Sequence, residues 1–496
     1  MTIGPQSLVL ITVDCMRADH VGFLGYSRPT TPFLDSLAQN SIVFRNAVAA
    51  GTPTYYSFPA ILASRYPLAL GRDLVGLAPG ESTLASVLSE SGFETAAFLA
   101  ANPYLSPRFG YDQGFQVFHD FLTRSMPECE VIGGEQAKIR RLSRTNELLR
   151  DISHVWGPAG AAYDELYFQY CQTASGPENE TLDSLRKFPS ADVIVDHAIA
   201  WLNKHSGGPF FLWLHLMDPH SPYYPKQQAL EDMGNDSITA KEARYLNSYW
   251  ARDLRAARLQ KKRDGIEALY DAGIRWVDTQ VRRLAEKLVE LNVWDKCMLA
   301  LTADHGEEFL EHGGRFHPPV KLTEELVRVP LLLRTPGGKQ GVVDQPVSLI
   351  DLAPTLLECL NIAAPVSFRG RSYWRHATSG QRRTEPVLTE SVHACTNPFR
   401  AEGRSGPRIL AIRGGDFKLI VDFASGSEQL FNLASDPREQ SPLPQDAELV
   451  MRRRLLECAR EHVAESHQSR DINRRLDAQL RELRLEWAHS PAKTTN

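Results

Sequence analysis

The chain has 496 residues, of which 43% are hydrophobic, 23% charged and 9% aromatic. That is too much chain for one small core, and the composition excludes disorder as the main state. A net charge of −5, from 55 basic and 60 acidic residues, gives no basic surplus of the kind that binds nucleic acid.

Leu8–Val13 is a short apolar run with no basic residues before it and Asp14 after it, which is not a signal-peptide pattern. No stretch of ~18 apolar residues follows, so no membrane span is expected. The seven cysteines are scattered and odd in number, which suits a reducing compartment better than a disulfide framework. A cytoplasmic location is the expectation.

Ser7–Val13 is apolar on both faces, as a central parallel strand requires. Similar runs recur at Thr95–Ala100, Pro209–Leu216, Met298–Thr302 and Val329–Leu333. Helical spacing appears between them at Thr31–Ala38, Ser82–Leu88, Ala191–Leu202 and Gly265–Leu291. Strands alternating with helices predict a parallel sheet covered on both faces, with chemistry at the carboxyl ends of its strands. Asp14, His215 and Asp304 sit at or just past such ends.

The pattern weakens over about 125–190 and 221–262, read as insertions, the second carrying a strongly charged and solvated helix in KEARYLNSYWARDLRAARLQKKRD. From about 386, Ile409–Ile412, Phe417–Asp422 and Gln429–Asn432 alternate around glycine turns, as an antiparallel meander does. A charged helical tail follows from about 446. The predicted organisation is therefore a catalytic α/β unit over 1–385, a small sheet over 386–445 and a tail over 446–496.

Asp14, Asp304 and His305 offer hard oxygens and an imidazole, a donor set suited to Zn²⁺ or Mn²⁺. Taken singly, a strand-end Asp is more often a helix cap and a lone His more often packing; the joint pattern is what points to a site. Thr52, Thr54 and Ser57 precede the helix-like PAILAS. Hydroxyls there meet a positive backbone field that favours anions, so they read either as caps or as a nucleophile activated by a metal.

In family order, the segments VLITVDCMRADHVGFLGYSRPTTPFLDSLA, FPAILASRYPL, GFETAAFLAANPYLS, WLHLMDPHSPYYP, LTADHGEEFLEHGGRFH, LTEELVRVPLLLRTPG, VSLIDLAPTLL and GDFKLIVDFASGSEQLFNLASDPREQ resemble the sulfatase branch of the alkaline phosphatase superfamily. The resemblance implies a large mixed, mostly parallel sheet with helices on both faces, and a small C-terminal antiparallel sheet. Sulfatases of this kind carry Cys-x-Pro-x-Arg or Ser-x-Pro-x-Arg, whose first residue becomes formylglycine. Here Ser57-Phe58-Pro59 is followed by Ile61 where that arginine belongs. The family ending Thr-Gly-Arg-Tyr-Pro, nine residues after the nucleophile, is similar to Ala63-Ser64-Arg65-Tyr66-Pro67 and selects Thr54 instead. The Gly-Thr-x-Thr segment of phosphoethanolamine transferases also selects Thr54, leaving Ser57 as a helix cap or substrate hydrogen bond. A threonine implies no formylglycine.

By the same resemblance, Asp14, Thr54, Asp304 and His305 face the metal. Cys15 replaces the second acid of calcium sulfatases, moving the expected ion from Ca²⁺ toward Mn²⁺ or Zn²⁺. His220 matches the histidine at the leaving oxygen, and His317 the slot that binds anionic oxygens. Arg17 and Asn102 match positions near the substrate, with a structural role also open for Arg17. His215 and His312 are expected to support or pack, and Lys321 is an alternative cation. A threonine ester cannot collapse to an aldehyde, so attack falls on phosphorus or sulfur, and a phosphate, phosphodiester or phosphonate is expected ahead of a sulfate ester. A headgroup transferase and a catalytically degenerate binding protein are the alternatives. The expected partner is a small anionic ester, with oligomeric state left open.

Overall fold

The computed structural model describes residues 6–70, 75–122, 180–205, 207–379, 383–392 and 406–466, with a few positions between 163 and 169. Most of the insertion expected over 125–190, and the tail beyond 466, lie outside the described residues.

The strands of the large unit are β1 (Ser7–Val13), β2 (Ile42–Val48), β3 (Glu94–Leu99), β4 (Val117–His119), β5 (Phe210–Leu216) and β6 (Cys297–Ala303), then the ribbon β7 (Glu308–Phe309) and β8 (Arg315–Phe316), and β9 (Arg328–Arg334), β10 (Gly341–Val343) and β11 (Val347–Ser348). The sheet runs in the order β10-β2-β9-β6-β1-β5-β3-β4, with β11 also on β2. β1 pairs in parallel with β5 and β6, and β3 in parallel with β5 and β4. β9 runs antiparallel to both its neighbours, β2 and β6, so the run Val329–Leu333 is a strand of the opposite sense to the others predicted. This is the mixed, mostly parallel sheet that the sequence implied.

The three central runs are buried because helices cover both faces of the sheet. β1, β5 and β6 are buried along their whole length, and helices such as Ala191–Lys204 and Arg263–Glu290 turn their apolar faces onto the same core. β2 was not picked out as a strand, since IVFRNAV carries Arg45 and Asn46 in mid-run. The strand is irregular there against β9, which lets both polar side chains reach outward to Asp344.

The helix expected to be solvated is corrected by its packing. Ala240–Trp250 buries Ala243, Leu246, Asn247, Tyr249 and Trp250, while its charges occupy the opposite face. Asn247 accepts from the Tyr223 amide and donates to the Tyr223 carbonyl, tying this helix to the segment that follows β5.

The second sheet is an antiparallel meander of β12 (Val387–Val392), β13 (Arg408–Gly414), β14 (Phe417–Asp422) and β15 (Ser427–Asn432). It matters to the site because β12 lies against the segment leading into the helix Thr54–Ala63. Thr389 donates to the Ala49 carbonyl (2.6 Å), the Glu390 amide to Ala50 (3.0 Å) and Ser391 to Thr52 (2.8 Å). Lys418, buried, bridges Glu324 (3.1 Å) and Glu439 (2.9 Å), and Arg413 also pairs with Glu324 (2.8 Å). These ion pairs fix the small sheet to the large unit. Removing one partner of such a buried set costs about 3–5 kcal/mol.

Candidate active site

Register builds the site. Val13 of β1 pairs with Leu216 of β5 on one side and Ala303 of β6 on the other. The next residues, Asp14 and Asp304, therefore leave adjacent parallel strands side by side, and His215 comes up beside them. All three are fully buried or within 1% of it, as is His305. Asn102, just past β3, donates from Nδ2 to Asp14 Oδ2 (2.9 Å). His215 spans Thr12 Oγ1 at Nδ1 (3.0 Å) and Asp14 Oδ2 at Nε2 (3.4 Å), a supporting position as expected.

His305 is oriented by its backbone neighbour. Its Nδ1 donates to the Gly306 carbonyl (2.9 Å), which leaves the lone pair on Nε2. Nε2 then lies 3.7 Å from Asp14 Oδ1 and 3.6 Å from Asp304 Oδ2. Thr54 is the first residue of a buried helix, and its hydroxyl sits 3.2 Å from the same Nε2. Asp14, Thr54, Asp304 and His305 thus converge around His305 Nε2.

The electrostatics of this cluster suit a cation. Burial raises Asp304, and the neighbouring Asp14 carboxylate raises it further. Burial opposes ionisation of Asp14 too, but His220, His215 and His305 outweigh it and hold Asp14 well below the usual carboxylate range. Asp304 Oδ2 is buried without a hydrogen-bond partner among the described residues. Two desolvated carboxylates with one orphaned oxygen form a cradle that a divalent ion completes.

The rim is more open. His220 and His317 are partly exposed, with ring centroids 5.1 Å apart, and His317 also lies 4.7 Å from His305. Cys15 sits beneath them in the left-handed region at φ 61°, a turn that brings Sγ back toward the cluster. Its Sγ is 3.2 Å from Asp14 Oδ1 and 3.4 Å from His317 Nδ1. Burial, then the charges of Glu307, Asp14 and Asp304, push its thiol well up.

Three candidates from the sequence, Arg17, Ser57 and Lys321, are engaged with the protein itself. Arg17 sends its guanidinium to Asp19, Glu311 and the Glu307 carbonyl, so its buried charge is neutralised there rather than presented to a substrate. Ser57 donates to the Asp304 backbone carbonyl (2.6 Å) and so anchors the end of β6 rather than contacting a ligand. Lys321 is likewise held by both oxygens of Glu308 at 2.8 Å.

Sequence reasoning missed Glu307. It is fully buried, neither carboxylate oxygen has a hydrogen-bond partner within ordinary geometry among the described residues, and Oε1 is 3.4 Å from His317 Nδ1. Its place three residues after Asp304 was the available signal.

His312 supports the loop from outside the site. Nδ1 faces Glu325 (2.8 Å) and Nε2 the Glu439 carbonyl (3.2 Å). The hydrogen bond to Glu325, outweighing burial, raises its pKa from 6.5 to about 9. A raised folded-state pKa contributes stability in full below the ordinary value and loses it as pH climbs through the folded one. Between pH 6.5 and about 9 the wild type should therefore lose more Tm than His312→Ala. Equal losses in thermal melts would remove this role.

Residues 6–362 match the family described as Sulfatase, and residues 314–484 match the C-terminal region of N-sulphoglucosamine sulphohydrolase. A multifunctional alkaline phosphatase superfamily protein of Trinickia caryophylli is 24% identical over 488 residues, covering 89% of this chain and 91% of its own. An arylsulfatase of Clostridium perfringens is 24% identical over 479 residues, covering 88% and 90%. Among solved structures, the phosphonate monoester hydrolase of Agrobacterium radiobacter superposes with a TM-score of 0.63 at 18% identity, over 94% of this chain and 96% of that one. The corresponding enzyme of Silicibacter pomeroyi gives 0.65 at 18% identity, over the same shares. With the family match spanning most of the chain, the protein is a hydrolase of the sulfatase family, within the alkaline phosphatase superfamily.

Proposed function

We infer that the protein hydrolyses a small phosphate, phosphodiester or phosphonate ester through Thr54 as nucleophile. The observation that carries this reading is the Thr54 hydroxyl, at a helix N-terminus and 3.2 Å from His305 Nε2, beside the paired carboxylates. Asp14, Thr54, Asp304 and His305 would hold the divalent ion, Mn²⁺ or Zn²⁺ by donor chemistry. Such an ion supplies the positive charge that favours the alkoxide form of a hydroxyl and neutralises an anionic ester.

The chain's own groups do the rest. Thr54, its hydroxyl proton released to solvent, attacks the phosphorus through Oγ from the helix N-terminus, whose backbone field favours the charge on the substrate. His317 faces the anionic oxygens and stabilises them as charge shifts. The bond to the leaving oxygen breaks as that oxygen takes a proton from His220. His220 Nδ1 donates to the Ser221 carbonyl, so the proton delivered is the one on Nε2 of the imidazolium. Water then attacks the threonine ester at phosphorus, giving a proton to the neutral His220, and the bond from phosphorus to Thr54 Oγ breaks, Oγ regaining a proton from solvent as the product leaves.

Threonine has no oxidisable primary carbon from which formylglycine is made. The slot four residues after it, arginine in the formylglycine motif, holds Phe58, packed against Trp213 and His215. Both facts favour a phosphorus substrate over a sulfate ester. A panel of aryl sulfate, phosphate monoester, phosphodiester and phosphonate esters tests this. Turnover is expected on one or more phosphorus esters; sulfate cleavage with no phosphoester activity would reverse the substrate assignment.

A further inference from the structure

One carboxylate joins two stretches of chain beside the rim. Asp218 stands two residues past β5 and two before His220, on a turn closed by the His220 amide donating to the Met217 carbonyl (2.9 Å). It is buried to within 1%. Its Oδ1 accepts from Arg186 Nη1 (3.1 Å) and its Oδ2 from the Ala191 amide (2.9 Å). The Ala191 amide opens the helix Ala191–Lys204, and Ser190 before it makes no side-chain cap, so Asp218 satisfies a donor that the helix leaves free.

Between Arg186 and Ala191 the chain has no regular structure, lying after the short helix Leu182–Leu185. Both ends of that segment are thus pinned to the turn that carries His220. Phe188 is midway along it, and its ring meets the His220 imidazole edge to face, with centroids 6.2 Å apart and planes at 89°. His220 is itself partly exposed and held at Nδ1 by the Ser221 carbonyl. A hydrogen bond at Nδ1 leaves the ring free to rock about that atom, and an aromatic neighbour restricts the rocking.

We propose that Asp218 is a positioning residue for the leaving-group proton: through Arg186 and Ala191 it holds Phe188 against His220 and so aims Nε2 at the leaving oxygen. A buried ion pair adds little stability over an apolar pair, so the worth of Asp218 and Arg186, whose side chains are 0% and 7% exposed, lies in where they place this segment. The proposal rests on His220 as proton donor, and not on whether the ester is one of phosphorus or of sulfur. A proton matters most to a poor leaving group. Mis-aiming His220 therefore shows as a dependence on the leaving group, which a general loss of structure does not produce.

The test measures kcat and kcat/KM of the full-length, metal-loaded enzyme on a series of aryl esters, from nitrophenyl to unsubstituted phenyl, of whichever acid the ester panel shows to be released. Phe188→Ala and Asp218→Asn should each lose about 10–100-fold on the phenyl ester and no more than about 3-fold on the nitrophenyl ester, the scale on which a misplaced proton donor is felt. Phe188→Tyr, which keeps the ring, should restore the wild-type dependence. His220→Ala should show the steep dependence outright, and adding Phe188→Ala to it should change nothing. Equal losses on all the esters, or none, overturn the proposal, and so does a further loss in the double variant. A His220→Ala that keeps the wild-type dependence removes the proton-donor role of His220 and the proposal with it. A steep His220→Ala beside an unaffected Phe188→Ala rejects the positioning alone. Should Asp218→Asn fail to fold, Phe188→Ala and the double variant decide.

Discussion

Thr54→Ala should lower kcat by about 10⁴-fold or more, the scale on which loss of an attacking group is felt in enzymes with covalent intermediates. Metal content should stay near the wild-type value, because Asp14, Asp304 and His305 still converge on the vacated position. The substitution removes a hydroxyl and a methyl from a buried helix start, and alanine is a good helix former, so folding should survive. Ser57→Ala is the matched control. Its hydroxyl serves the Asp304 carbonyl, so the variant should lose about 1 kcal/mol of stability and keep most of its turnover. Steady-state kinetics with elemental analysis on both variants separates the readings. Unchanged turnover in Thr54→Ala would remove the nucleophile assignment, and abolition in Ser57→Ala alone would transfer it.

The contrast between these two hydroxyls shows where sequence reasoning reaches and where it stops. Resemblance to the family ending at Arg65-Tyr66-Pro67 points to Thr54, and the structure places this first residue of its helix facing His305 at the ends of β1 and β6. The strand ends were equally legible, since an apolar run finishing in an acid puts that acid at a carboxyl edge, as at Val13-Asp14 and Ala303-Asp304. What spacing does not carry is direction. Arg17 lies three residues after Asp14, yet its side chain turns to Asp19 and Glu311. Glu307 is buried although charged, because the loop after β6 is tied to another segment: the Gly306 amide donates to the Leu326 carbonyl and the Glu307 amide to the Glu325 carbonyl. The helix Ala240–Trp250 was misread for a similar reason: its charges are real, but they cover one face, and Leu246 and Trp250 define the other. β2 hid its strand character behind Arg45 and Asn46, which an irregular register allows to point outward.

Asp304→Ala should abolish Mn²⁺ binding in the range where the wild type holds one ion per chain. The loss should exceed the ~10–100-fold that removal of an outer partner costs, because Asp304 Oδ2 is the buried oxygen left without a hydrogen bond. The same variant should behave differently without metal. In the wild type, burial first and then the Asp14 carboxylate raise Asp304. Removing one carboxylate relieves that repulsion, so metal-free Asp304→Ala should melt no lower than expected for a small buried truncation. Adding Mn²⁺ at about 100 times its Kd should stabilise the wild type by about 2.7 kcal/mol and leave the variant unmoved. The raised Asp304 also sets a pH dependence: a carboxylate must be ionised to ligate, so Mn²⁺ affinity should fall with pH sooner than an ordinary aspartate would allow. Calorimetric titration across pH, with melting curves at each point, measures all three effects. Full Mn²⁺ occupancy in Asp304→Ala would overturn the ligand set, because no other described carboxylate follows β6 in register with Asp14.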